Sequence, residues 1–216
     1  MFRSIFAVLL LAILGASAVQ AQSTELQFKG FGGERYAQHD ALLRRLTSEF
    51  NRNKASWTGA SAEQAQQIPN LNPALIKALL VQESGGGKAG DLAAWVKDPG
   101  QVNLPGNWSK YKADLGLKEP LKPNTGSLEG NVKATIRFLT RKGFGRSGRA
   151  PKERAGATFD GWRVALERYN GRSLLTENGK PYSTNYAERI LQRARHPERH
   201  APVSLPKPKP SGTLPH

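Results

Sequence analysis

The sequence predicts a mainly α-helical domain. Apolar residues recur at helical spacing in five long segments, and no paired alternating runs mark out strands. Favoured helix-start residues, Ser61, Asn72 and Ser127, stand just ahead of such segments or of a short one. Within the 216 residues, positions 34–196 suit one domain of ordinary size.

The elements follow in order. A first helix is expected from about Glu34 to Arg52, with Leu42, Leu43, Leu46 and Phe50 inward. Ser61-Ala62-Glu63-Gln64 reads as a capping box that opens a short helix, which Pro69 ends. Asn72 and Pro73 suit the N-cap and first turn of the next helix, and Gly85-Gly86-Gly87 stops it. Residues 85–126 are rich in Gly, Pro and Asn and lack a sustained period; they read as a long functional connection, with room for a small hairpin in 90–126. Ser127 caps a helix with Val132, Ile136 and Leu139 inward. Residues 141–156 read as a basic mobile loop. Thr158 is expected to cap a helix bearing Phe159, Trp162, Ala165, Leu166 and Tyr169 on one face. The last helix runs from about Ser183 to Arg195, with Tyr186, Ala187, Ile190 and Leu191 inward.

The ends read differently. Arg3, the apolar run Ile5–Leu14 and the small residues near Ala18 and Ala21 make residues 1–21 a cleavable export signal. The run is shorter than the ~20 residues of a spanning helix, so no stable membrane anchor is expected. Residues 22–33 form a flexible leader, and the basic, Pro-rich tail 197–216 is expected to be disordered. An exported protein without cysteine has neither disulfides nor thiolate metal sites, so its core must hold it together. His39, His196, His200 and His216 fall in no ligand-like spacing, so no metal and no cofactor is expected. The net charge of +15 calls for a polyanionic partner. For a protein in the periplasm or outside the cell, that means wall carboxylates, wall phosphates or headgroups. No arginine-rich arm or nucleic-acid motif points to nucleic acid.

One residue stands against the pattern. Glu83 lies seven, four and three residues beyond Ile76, Leu79 and Leu80 and shares their apolar face. It also falls in the last turn, where the helix dipole disfavours an anion. Burial and dipole both raise a carboxyl pKa, and a carboxyl kept protonated near neutrality is what a general acid needs. The ordinary alternative is a Glu tilted to water or paired with Lys77 or Lys88.

Several segments in order resemble the lysozyme-like lytic transglycosylases of bacterial cell walls. Leu75–Gly85 is similar to the family's apolar helix ending in Glu-Ser-Gly. Asp98-Pro99-Gly100-Gln101-Val102-Asn103 resembles its Asp-Pro-Met-Gln segment. Asn131–Leu139 resembles Asn-Ile-x-x-Gly-x-x-Tyr-Leu, and Ala165–Gly171 resembles Ala-x-x-x-Tyr-Asn-x-Gly. Tyr186–Ile190 fits the closing Tyr-x-x-x-Ile. The resemblance covers about residues 68–195. The chain departs from the pattern at Gly100, where the family has Met, at Thr135, where it has Gly, and in the missing residue between Asn170 and Gly171.

The resemblance implies a lysozyme-like helical fold and cleavage of the β-1,4 bond between N-acetylmuramic acid and N-acetylglucosamine, closing a 1,6-anhydro ring. Glu83 would serve alone, first as acid and then as base. Matching positions imply substrate contacts for Ser84, Gln101, Asn131, Tyr169, Asn170 and Tyr186, with Tyr169 positioning Glu83 and Tyr186 lining the groove. Each has a plainer reading. Ser84 ends its helix, Gln101 is a solvated loop residue, Tyr169 and Tyr186 are core aromatics, and Asn170 caps its own helix. Two other functions stay open. A hydrolysing muramidase would need a second carboxylate, Asp98 or Asp91, roughly 6.5–9.5 Å from the first for inversion. A non-catalytic wall-binding component of an envelope-spanning secretion or conjugation apparatus would use the basic loop and tail instead.

Overall fold

A computed structural model describes residues 37–84, 92–105, 110–115, 117–120, 122–145, 149–154, 156–171, 174 and 179–195. The signal, the leader, the first residues of the predicted first helix, Lys88, Asp91 and the tail lie outside them. The protein is mainly α-helical, and among the described residues there is no β-strand. The hairpin anticipated in 90–126 is therefore absent from the described part of that stretch. None of the described helices is long and apolar enough to cross a membrane.

Helix α1 (Asp40–Arg52) buries Leu43, Leu46 and Phe50. Two short helices follow, α2 (Lys54–Thr58) and α3 (Ala62–Gln66). The capping box opens α3 as the sequence predicts: Ser61 accepts the Gln64 amide, and the Gln64 side chain accepts the Ser61 amide. Helix α4 (Pro73–Ser84) runs through the centre. Asn72 Oδ1 accepts the Ala74 amide at 2.8 Å, so the predicted N-cap holds.

Helix α4 does not present the single apolar face that the sequence predicts. Every residue from Ala74 to Val81 is buried, so the helix is enclosed all round rather than apolar on one stripe. Even Lys77 is only 1% exposed; its ammonium meets Asp40 on α1 at 2.6 Å. Burial lowers the Lys77 pKa and raises that of Asp40, and their mutual attraction opposes both shifts.

Two helices, α5 (Leu92–Lys97) and α6 (Lys110–Ala113), sit in the stretch expected to be irregular. Each is too short to display a period, but α5 inserts Trp95, which is 1% exposed and stacks on His39. Helix α7 (Leu128–Gly143) starts at Ser127, whose hydroxyl accepts the Gly130 amide at 3.1 Å. It buries Val132, Ile136 and Leu139 as expected, and extends through the first residues of the stretch predicted to be a loop. A single 3-10 turn, Pro151–Glu153, orders more of that stretch.

Helix α8 (Trp162–Asn170) begins later than the sequence suggested, with Gly161 rather than Thr158 at its N-cap. Phe159 packs against the core between Phe144 and Trp162 instead of joining the helix. It packs so closely on Gly143 that a Cβ there would lie 2.0 Å from the ring. The chain then turns through Gly161 at φ 97°, a conformation suited to glycine. Helix α9 (Tyr182–Arg195) buries Tyr186, Ala187 and Ile190. It packs on α4 and α8, and α8 packs on α7. The last turn of α4 is thus brought against α9, while α5 and α7 hold the loop that follows α5.

Candidate active site

Glu83 is the next-to-last residue of the buried helix and is itself half-buried. The Tyr186 hydroxyl, from the second turn of α9, donates to Glu83 Oε1. The Gln101 side-chain amide donates to the Glu83 carbonyl, one of the carbonyls a helix end leaves without an intrahelical partner. Both the carboxyl and the backbone of Glu83 are therefore held by residues distant in sequence. The bland alternative of a Lys77 partner gives way to a different arrangement, in which Lys77 meets Asp40.

Gln101 has φ 51°, an uncommon backbone state for a non-glycine residue. Asp98 builds the loop that holds it there. The Asp98 carboxylate is fully buried and accepts the Asn103 amide at 2.8 Å and the Val102 amide at 3.2 Å, while its carbonyl accepts the Gln101 amide. Burial raises the Asp98 pKa, and the two amide bonds pull against that rise.

Tyr169 donates to the Gly100 carbonyl at 2.6 Å and meets Phe138 edge-on. The contact with Glu83 foreseen for Tyr169 is thus made by Tyr186, while Tyr169 fixes the loop beside it. Removal from water, then the Glu83 charge, lifts both phenol pKa values well above the ordinary one. Both phenols therefore stay protonated, and Tyr186 stays a donor to Glu83.

The remaining candidates divide. Asn131 is 2% exposed, and its side-chain amide donates to the carbonyls of Lys97 and Thr125, tying α7 to the ends of two loops. Its observed contacts are those of a positioning residue. Ser84 is 3% exposed and donates its hydroxyl to the Leu80 carbonyl at 2.6 Å, a bond inside its own helix. Asn170 is the last residue of α8, followed by Gly171 in the left-handed region. Asp91 lies outside the described residues.

Thr135 escaped the sequence reading except as a departure. Its side chain lies against Gly100: a Cβ at residue 100 would stand 2.0 Å from Thr135 Oγ1 and 2.8 Å from Cγ2. The two departures are one feature, with the bulk on the helix and the space on the loop. Sequence separation hid the compensation, since the residues are brought together only by the packing of α7.

No protein-family model matches the chain, and no curated protein or solved structure matches it significantly. Among the described residues, no group of three or more His, Cys, Asp or Glu is placed to hold a metal ion.

Proposed function

We propose that the chain is a lytic transglycosylase of bacterial peptidoglycan, with Glu83 as its acid and base. The observation that carries this reading is the Tyr186 hydroxyl bound to the carboxyl of a Glu at the end of a buried helix. That bond fixes the orientation of a carboxyl that can give and take a proton.

In the proposed reaction Glu83 gives its proton to the glycosidic oxygen as the bond from C1 breaks. The substrate's own acetamido group supports the positive charge that develops on the sugar. The Glu83 carboxylate then removes the proton of the muramic C6 hydroxyl, and O6 bonds to C1. One protein carboxyl suffices, because the nucleophiles belong to the substrate. Asp98 supports this economy: both its oxygens accept backbone amides in a fully buried site, an arrangement suited to holding a loop rather than activating water. The reading includes export to the periplasm or beyond, with glycan strands as the partner.

Digestion of purified walls by the mature chain and by its Glu83→Gln variant tests the proposal. The wild-type chain should release fragments one water lighter than hydrolytic products, and the variant should release almost none. Fragments carrying that water would identify a hydrolase, and wall binding without release by either form would remove the enzyme reading.

A further inference from the structure

A cavity of about 780 Å³ opens along α7, on the stretch of loop that follows Gln101. Its size falls in the range of about 300–1,000 Å³ typical of small-ligand sites. Leu115 and Ala134 contribute apolar surface to it. Lys118, Lys122, Lys133 and Arg137 line it, and Glu119 is the one acid among the described lining residues. Arg137 donates from Nε to the Trp57 carbonyl and from Nη1 to the Leu115 carbonyl, which holds its charge in place. Lys118 and Lys122 are exposed.

Asn103 makes the cavity more than a basic surface. It lines the cavity, is 6% exposed, and turns its amide nitrogen toward the Thr125 hydroxyl at 3.3 Å. Its Oδ1 is buried without a hydrogen-bond partner, a rare state for a buried acceptor. A ligand that completes this site brings an N–H donor for Asn103 and negative charge for the lysines. A peptide with a free carboxylate carries both on one short skeleton.

We propose that this cavity binds the carboxylate end of an acidic peptide, and that in the wall the occupant is the stem peptide attached to the glycan. Only the naming of the wall as source rests on the function proposed above. The coupling to Glu83 is short. Asn103 lies two residues beyond Gln101, and Asp98 holds the Val102 and Asn103 amides while the Gln101 side chain holds the Glu83 carbonyl.

The test is calorimetric titration of the mature chain with an acetylated acidic tripeptide and with the same tripeptide fully amidated. The acid form is expected to bind about tenfold or more tighter, a difference of about one decade in Kd. A Lys118→Glu/Lys122→Glu double variant, altered only at exposed positions, should lose that preference while keeping its melting temperature. Equal binding of the two peptides, no binding of either, or inorganic phosphate binding as tightly as the acid peptide overturns the proposal. Wall digestion by the same preparations separates the two claims: digestion without peptide binding removes the pocket alone, and peptide binding without digestion removes the enzyme reading alone.

Discussion

Thr135 fills the space that a side chain at residue 100 would need, with Oγ1 2.0 Å from where that Cβ would stand. Gly100 does not have a positive φ, so the need for glycine there is steric rather than conformational. Gly100→Ala is expected to destabilise the protein by about 1–3 kcal/mol through overpacking. Adding Thr135→Gly should recover part of that loss, so that a double-mutant cycle by denaturant unfolding shows coupling of about 1 kcal/mol or more. Additive effects would mean the two residues are independent.

Tyr186→Phe removes the hydroxyl that orients Glu83 and leaves the ring in the core. Hydrogen bonds to charged groups are worth about 1.5–3 kcal/mol, so wall-solubilising rate should fall about tenfold or more. An unchanged initial rate would show that the hydroxyl does not position the acid.

The tyrosines also set an alkaline limit. Burial and the Glu83 charge raise the pKa of Tyr169 and Tyr186 in the folded state above the ordinary value. The folded state therefore holds these protons more tightly than the unfolded chain. The resulting stability is complete below the unfolded pKa of about 10 and is lost as pH rises through the folded values. Thermal melts at stepped alkaline pH should show a decline that is shallower in Tyr186→Phe; identical slopes would exclude Tyr186 as a source.

The Lys77–Asp40 pair tests the centre of the fold. Asp40→Ala removes the carboxylate that balances a buried ammonium and should cost about 3–5 kcal/mol in chemical unfolding. Lys77→Met/Asp40→Ala, which removes both charges, should be near neutral in stability. A double variant as unstable as Asp40→Ala would show that the cost comes from something other than the lost charge balance.

Local chemistry was legible where a few neighbouring residues decide it. Ser61 with Gln64, Asn72 with Pro73, and Ser127 open their helices as expected, because capping involves bonds to amides two or three residues away. The start of α8 is not legible locally because Phe159 packs on Phe144 and Gly143, partners that no local window contains. Trp95 likewise gave α5 its place through His39, more than fifty residues earlier.

At the site, the sequence by itself determined the mainly helical class, the helix that ends in Glu83, and the tyrosines and Gln101 as residues to examine. Tertiary structure alone decided which did what. It gave the Glu83 carboxyl to Tyr186 and the Gly100 carbonyl to Tyr169, turned Ser84 back on its own helix, and made Asp98 the support of a loop. The reason is physical: a side chain's type limits what it can donate or accept, but the packing of α4, α7, α8 and α9 sets which partner lies within reach.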